Sequence, residues 1–254
     1  MNFDFKGKNI LVIGGSSGIG LSIVTEFLKS NAKVFSISRS EKKIESAKKA
    51  LAKKKILKNA TFLSTENNTI EDVTEILKNL TDNKIFFDVL INCNGYYEKM
   101  NLIDVTNSFW DNVYYNNIKL NFFTSQFLAK TNIAKRKKLN IINLSSFASI
   151  MPSSGYGIYA SSKSALTNLT KTMAAEWSKF NIRVNCIIPG VIETPMTKSI
   201  IQIKQSELIL PIALKRIGKP NEVANVALFL ASEYSSYICG ATIDVTGGKY
   251  IIQN

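Results

Sequence analysis

Lys8 to Gly20 reads KNILVIGGSSGIG, an apolar run that stops at a double glycine and resumes as a helix. Residues 8–13 have the length and branching of a buried strand. Ile19, Ile23, Phe27 and Leu28 then repeat at the period of one helix face. Between the two stand Gly14, Gly18 and Gly20, spaced GxxxGxG. Glycines there let the backbone approach a pyrophosphate, and the unpaired N–H groups of a helix start can hold it. The stretch predicts a strand, a phosphate-binding turn and a helix, with Gly14, Ser16, Ser17, Gly18, Ile19 and Gly20 as cofactor contacts. The competing reading is an ordinary tight strand-to-helix turn.

Strand and helix signals keep alternating downstream. Strands are expected at Lys33–Ser38, Thr61–Leu63, Phe87–Ile91, Asn140–Leu144, Ile182–Ile188 and Ala241–Val245. Helices are expected near Glu71–Leu80, from about Thr106 to Lys130, across Tyr159–Lys163 and at Glu222–Leu230. Repeated βαβ units imply a parallel sheet covered on both faces. The fold class is therefore α/β: a Rossmann-like, doubly wound parallel sheet of about seven strands in three αβα layers. One domain spans residues 1–254, and residues 193–218, which carry no clear strand, are read as a lid over the substrate.

The second strand fixes the expected cofactor. In dinucleotide folds an acidic residue about 20 positions past the glycines holds the ribose 2′-hydroxyl. Here Ser38 and Arg39 occupy that place, and no Asp or Glu lies between Glu26 and Glu41. A guanidinium grips a 2′-phosphate that a carboxylate would repel, so the expectation is NADP(H) rather than NAD(H). Lys42 and Lys43 add positive potential nearby.

Composition removes other chemistries. The 254 residues contain no histidine. That excludes Ser-His-Asp hydrolysis, Cys-His nucleophiles and histidine-bound zinc, and no metal ligands are predicted. Proton transfer must use Tyr, Lys, Asp, Glu or water. Cys93, Cys186 and Cys239 show no paired spacing and read as reduced thiols of a cytoplasmic protein. The start of the chain shows no cleavable signal pattern, and no apolar run of about 18 residues would cross a membrane. The net charge of +13 comes largely from residues 42–58 and from Lys135–Lys138. The first run places Ile44, Ala47 and Leu51 at helical spacing and lacks interleaved aromatics. It reads as a solvated helix face, with no nucleic-acid partner.

Residues 145–163, SSFASIMPSSGYGIYASSK, carry the remaining chemistry. Tyr159 and Lys163 stand four apart on one helix face, with Ser146 thirteen positions upstream. A second Tyr-x3-Lys, Tyr115–Lys119, has Leu102 rather than a serine at that distance, which marks it as a decoy.

With GGSSGIG, Asn92-x-x-Gly95, Asn117, Ser146, Tyr159-x3-Lys163 and Pro189-Gly190 in this order, the chain resembles the short-chain dehydrogenase/reductase family over its whole length. The resemblance implies Tyr159 as general acid–base, Lys163 as its activator and ribose ligand, and Ser146 as holder of the carbonyl. It also implies that Asn117 supports a water-mediated proton path. Asn92, Gly95, Pro189, Gly190, Ile192 and Thr194 join Ser38, Arg39, Tyr159 and Lys163 as implied cofactor contacts. A cation ~4 Å from a phenol, at an effective dielectric of ~20, favours phenolate by about 4 kcal/mol, which would bring Tyr159 down by about 3 pH units before desolvation takes some back. Three positions depart from the family pattern: Ile13 replaces a threonine, Asn94 replaces a small apolar residue, and only Glu66 approximates an adenine-binding aspartate.

Within the family the likeness runs to 3-oxoacyl-acyl-carrier-protein reductases. It implies a small-molecule carbonyl substrate carried on an acyl carrier protein, which Lys135–Lys138 would meet. The ending Gly247-Gly-Lys-Tyr250 and the region Met196–Gly218 fit that likeness, and residues Ile150–Tyr156 would line the substrate pocket. A homotetramer is implied, with Phe122, Phe123 and Phe127 available to an interface or to the core. Two rivals stand beside this reading: a reductase of another ketone, sugar or alcohol, and a non-catalytic NADP(H)-sensing protein.

Overall fold

The computed structural model describes residues 3–65, 69–151 and 153–249. Among these, seven strands form one sheet in the order β3-β2-β1-β4-β5-β6-β7. They are β1 (Asn9–Ile13), β2 (Lys33–Ser38), β3 (Ala60–Ser64), β4 (Val89–Asn92), β5 (Leu139–Leu144), β6 (Ile182–Pro189) and β7 (Thr242–Val245). Every neighbouring pair is parallel. Parallel neighbours require crossovers, which eight helices supply: α1 (Gly18–Lys29), α2 (Glu41–Lys53), α3 (Ile70–Asp82), α4 (Asn107–Tyr114), α5 (Leu120–Ala134), α6 (Gly157–Trp177), α7 (Lys198–Ile209) and α8 (Pro220–Ala231). The doubly wound α/β class expected from the sequence is the class observed.

Strand alternation builds the two cores. Ile10 and Val12 point to the layer of α1 and α8, among Ile23, Phe27, Val223 and Leu228. Leu11 and Ile13 point the other way, among Val73, Leu77, Leu120 and Leu128 of α3 and α5. Buried on both faces, the strands read as unbroken apolar runs. From β1 the chain winds outward through β2 and β3, then returns to place β4 on the other side of β1. That reversal opens a crevice at the carboxyl ends of β1 and β4.

Local chemistry sets the helix starts. Thr69 and Asp72 exchange side-chain to backbone bonds as a capping box ahead of α3. The Thr106 hydroxyl accepts from Phe109 N at 3.2 Å before α4. Pro220 opens α8, and the Glu222 carboxylate accepts from Lys219 N at 2.7 Å.

Two expectations change. The single helix over Thr106–Lys130 is two helices joined by a π turn at Tyr115–Lys119. Side-chain amides compete with the backbone ladder there: Asn116 donates to Asn112 O, and Asn121 donates to Asn117 O, each at 2.8 Å. Residues 193–218 contain α7, which the sequence reading missed. Its apolar residues keep to no single face, none of its residues is buried, and Lys204 (φ −130°, ψ 31°) interrupts it. On α5, Asn121, Thr124, Ser125 and Asn132 turn inward; Phe122 and Phe127 are half-buried against the core, one of the two placements open to them, and Phe123 is exposed.

Candidate active site

The crevice is lined at one end by the turn between β1 and α1. Gly14 (φ +83°) passes so close to the chain just after β4 that a Cβ would stand 3.0 Å from Asn94 N. At Gly20 a Cβ would meet the Gly14 carbonyl oxygen at 2.2 Å, so only glycine permits this turn. Ser17 caps α1 without a side-chain bond, and the first turn of α1 holds no acidic residue. Ser38 Oγ and Asn94 Oδ1 are buried with no hydrogen-bond partner among the described residues, and both residues line this crevice. Exposed Arg39 and Lys43 complete the rim. A glycine cradle, an uncapped helix start, unsatisfied buried oxygens and two rim cations fit a nucleotide diphosphate.

Tyr159, Lys163, Gly95, Pro189 and Thr194 line the other end. Lys163 is buried; its Nζ donates to Leu144 O at 2.9 Å and lies 6.0 Å from the centre of the Tyr159 ring. The Ser145 hydroxyl donates to Lys163 O at 2.9 Å, tying the end of β5 to α6. Ser146 caps the short helix at Phe147–Ser149: its Oγ accepts from Ala148 N at 3.2 Å, and the same hydroxyl is the polar neighbour that favours ionisation of the Tyr159 phenol.

The electrostatics correct an expectation. Burial pushes the Tyr159 phenol above its ordinary value, with the Ser146 hydrogen bond acting in the opposite direction. Burial also brings the Lys163 ammonium down to about 8, offset in part by Cys186 and Cys93. Lys163 is engaged with the Leu144 carbonyl, and its charge does not overcome the burial that raises Tyr159. Desolvation wins, and the phenol stays protonated. Burial likewise raises the Cys93 thiol to about 12, leaving it an inert wall.

Asn117 stands in the π turn behind the crevice. Its Oδ1 accepts from Tyr96 N at 2.7 Å; its Nδ2 donates to Tyr96 O at 3.1 Å and to Ser162 Oγ at 2.9 Å. The side chain thus clamps the loop after β4 to α6.

Of the residues expected to touch a cofactor, Gly14, Ser16, Ser17, Gly18, Ile19, Gly20, Ser38, Arg39, Gly95, Tyr159, Lys163, Pro189 and Thr194 share the crevice. Three stand elsewhere. Asn92 is fully buried and donates to Asn143 Oδ1 at 2.8 Å and Ser125 Oγ at 3.0 Å, inside the sheet. Gly190 packs against the chain before the C-terminus, where a Cβ would lie 2.8 Å from Thr246 Cα. Ile192 buries its side chain in the core and gives its carbonyl to the Thr197 hydroxyl. Asn94, Tyr97, Asn116, Pro195 and Met196 line the crevice without having been singled out as contacts. Asn94 was visible as a departure, and its Nδ2 donates to Asn116 O at 2.9 Å. Glu66, Pro152 and Tyr250 lie outside the described residues.

Two further readings are settled by position. Tyr115, the decoy, uses its hydroxyl to accept from Ile70 N at 2.8 Å, anchoring α3. Lys135–Lys138 falls between α5 and β5, at the amino end of that strand. Lys135 and Lys137 sit over the Phe86 ring there. Within one chain the cluster stands at the end of the sheet opposite the crevice, just before β5 as the sequence places it.

A family model described as enoyl-(acyl carrier protein) reductase matches residues 13–249. The chain is 34% identical over 253 residues to the 3-oxoacyl-[acyl-carrier-protein] reductase FabG of Thermotoga maritima, covering 97% of this chain and 99% of that one. It is 32% identical over 246 residues to dehydrogenase/reductase SDR family member 4 of Oryctolagus cuniculus, covering 95% and 93%. A short-chain dehydrogenase/reductase of the glucose/ribitol dehydrogenase type from Brucella melitensis superposes with a TM-score of 0.89 at 24% identity, over 99% of this chain and all of that one. Matched across nearly its full length in sequence and in fold, the chain belongs to the short-chain dehydrogenase/reductase family, oxidoreductases that act on carbonyl and alcohol carbons.

Proposed function

We propose that the chain is an NADP(H)-dependent carbonyl reductase acting on a 3-oxoacyl thioester borne by an acyl carrier protein. One observation carries the reductase reading: a single crevice joins the glycine turn and Arg39 to Tyr159 and Lys163. The family and fold imply a nicotinamide cofactor. Exposed Arg39 beside the unsatisfied Ser38 hydroxyl supports the 2′-phosphorylated form. The thioester substrate is supported by the reductase from Thermotoga maritima and its like among the relatives.

The nicotinamide supplies the hydride. Gly14–Gly20 and the start of α1 bind the diphosphate, and Arg39 and Lys43 stand ready for a ribose phosphate. Ser146 orients the substrate oxygen. Tyr159, kept protonated by burial, donates its proton to that oxygen as the alcohol forms. Lys163, protonated below about pH 8, stabilises the phenolate left behind. Asn117 holds the backbone of the loop after β4, a positioning role; a water path past it is part of the proposal. Residues 193–218 form the lid: a Cβ on Gly18 would stand 3.4 Å from the Thr194 side chain, and α7 buries no residue. A cytoplasmic homotetramer completes the reading, with the exposed Phe123 of α5 supporting a subunit contact.

The test is NADPH oxidation against a panel of acetoacetyl thioesters, free and carrier-linked, a trans-2-enoyl thioester, and small ketones. Turnover on the 3-oxo thioesters that Tyr159→Phe abolishes is expected. NADPH binding without turnover on any carbonyl would refute the reductase; faster turnover of small ketones would refute the substrate.

A further inference from the structure

Tyr97 lines the crevice, and the mechanism above leaves it unused. Its ring stacks on Tyr156, centroids 4.8 Å apart and planes within 10°. The same ring stands edge-on to Tyr159, at 5.0 Å and 84°. Its surroundings leave it little freedom. Asn117 pins the preceding residue through both backbone groups of Tyr96. Met100 N donates to Gly155 O at 2.8 Å. The stem of Lys99 passes 2.6 Å from where a Cβ on Gly155 would be, and Leu102 comes within 2.7 Å of the same point on Gly157. Two glycines ahead of Tyr159 thus make room for this loop, and Tyr156, which caps α6, carries the stack. The loop after β4 is a fixed wall.

We propose that Tyr97 is a positioning residue of the site: its ring, held against Tyr156, fixes the orientation of the Tyr159 phenol and keeps water from it. A phenol free to rock about its Cα–Cβ bond loses aim at the substrate oxygen, and small misplacements cost rate heavily. Tyr97 supplies the stop through its edge contact, 5.0 Å between ring centres. The inference rests on Tyr159 being the proton donor.

The experiment compares wild type, Tyr97→Ala, Tyr97→Leu, Tyr97→Phe and Tyr159→Phe in NADPH-dependent reduction, each across pH. Tyr159→Phe reports on the underlying reading alone: if it keeps turnover, that reading fails whatever Tyr97 does. With the reading intact, Tyr97→Ala should lower kcat about tenfold or more while the KM for NADPH stays unchanged. Reduction needs a protonated phenol, so turnover falls as pH rises through the Tyr159 pKa. Admitting water removes part of the burial that raises it, and the alkaline limb should move to lower pH. The titratable groups facing Tyr159 are Tyr97 itself, Tyr156 behind it and Lys163 one turn on; the last two are common to the Tyr97 series. Tyr97→Phe should restore both kcat and the limb, because the ring carries the effect. Tyr97→Leu, which keeps apolar volume, should show the loss even if the alanine variant does not fold. Wild-type kcat and limb in Tyr97→Leu would overturn the proposal, as would a phenylalanine variant no better than leucine.

Discussion

Replacing Lys163 by methionine should stabilise the protein while abolishing its activity. The lysine is buried and makes one hydrogen bond, to Leu144 O, with no carboxylate within ion-pair distance among the described residues. Burial brings its ammonium from 10.5 down to about 8. At about 1.4 kcal/mol per pH unit, this charge costs the folded state about 3 kcal/mol at pH 7, where both states are protonated. Methionine keeps the volume and removes that cost; losing the bond to Leu144 returns about 1 kcal/mol. The net gain of about 2 kcal/mol should raise Tm by about 4–8 °C. The sign with pH is also fixed. Between about 8 and 10.5 the unfolded chain binds the proton and the folded chain does not, so this group's burden fades as pH rises, to about 1 kcal/mol by pH 10. Urea unfolding of both proteins at pH 7 and pH 10, with NADPH turnover alongside, checks each part. A methionine variant less stable than wild type at pH 7, or an advantage equally large at pH 10, would refute the desolvation argument.

Three further outcomes are expected. Gly20→Ala should abolish NADPH binding, measured by fluorescence titration, since its Cβ would overlap the Gly14 carbonyl and distort the turn; unchanged affinity would show that the turn is not the diphosphate cradle. Tyr115→Phe should cost about 1 kcal/mol in unfolding free energy through the lost bond to Ile70 N, with kcat unaltered; a fall in kcat would mean the decoy takes part in the site. Arg39→Asp should weaken NADPH by tenfold or more, at about 1.4 kcal/mol per decade, and favour NADH; equal NADPH affinity in the variant would remove the cofactor assignment.

What could be seen from the sequence follows a physical divide. β1 and the turn to α1 were legible because strand length, glycine spacing and helix period are local and agree with one another. Tyr159, Lys163 and Ser146 were legible as a spacing, and the decoy could be set aside by the same spacing. The π turn was not legible: its cause is a set of asparagine side chains choosing backbone partners, which no periodicity records. α7 was missed because a helix that buries no residue shows no one-sided pattern. The direction of the Tyr159 shift was not legible, because the distance to Lys163 and the depth of burial are both tertiary quantities, and burial, named only as the opposing effect, is the larger. Tyr97 gave no signal, since its role depends on an aromatic stack assembled from two distant loops.

Asn92 was expected to meet the cofactor and instead lies opposite Asn143 in the register of β4 against β5. The two strands, VLIN and LNIINL, are otherwise nearly interchangeable apolar runs, and a slide of two residues would keep every side chain on its own face. Such a slide would part the two amides, and with them the bonds from Asn143 to Thr170 on α6 and from Asn92 to Ser125 on α5. Burying a separated amide is costly, so the pair acts as an alignment key that the greasy residues cannot provide. Gly95 and Ser146 lie three residues beyond Asn92 and Asn143 respectively, so the same key sets the spacing between the two walls of the catalytic crevice.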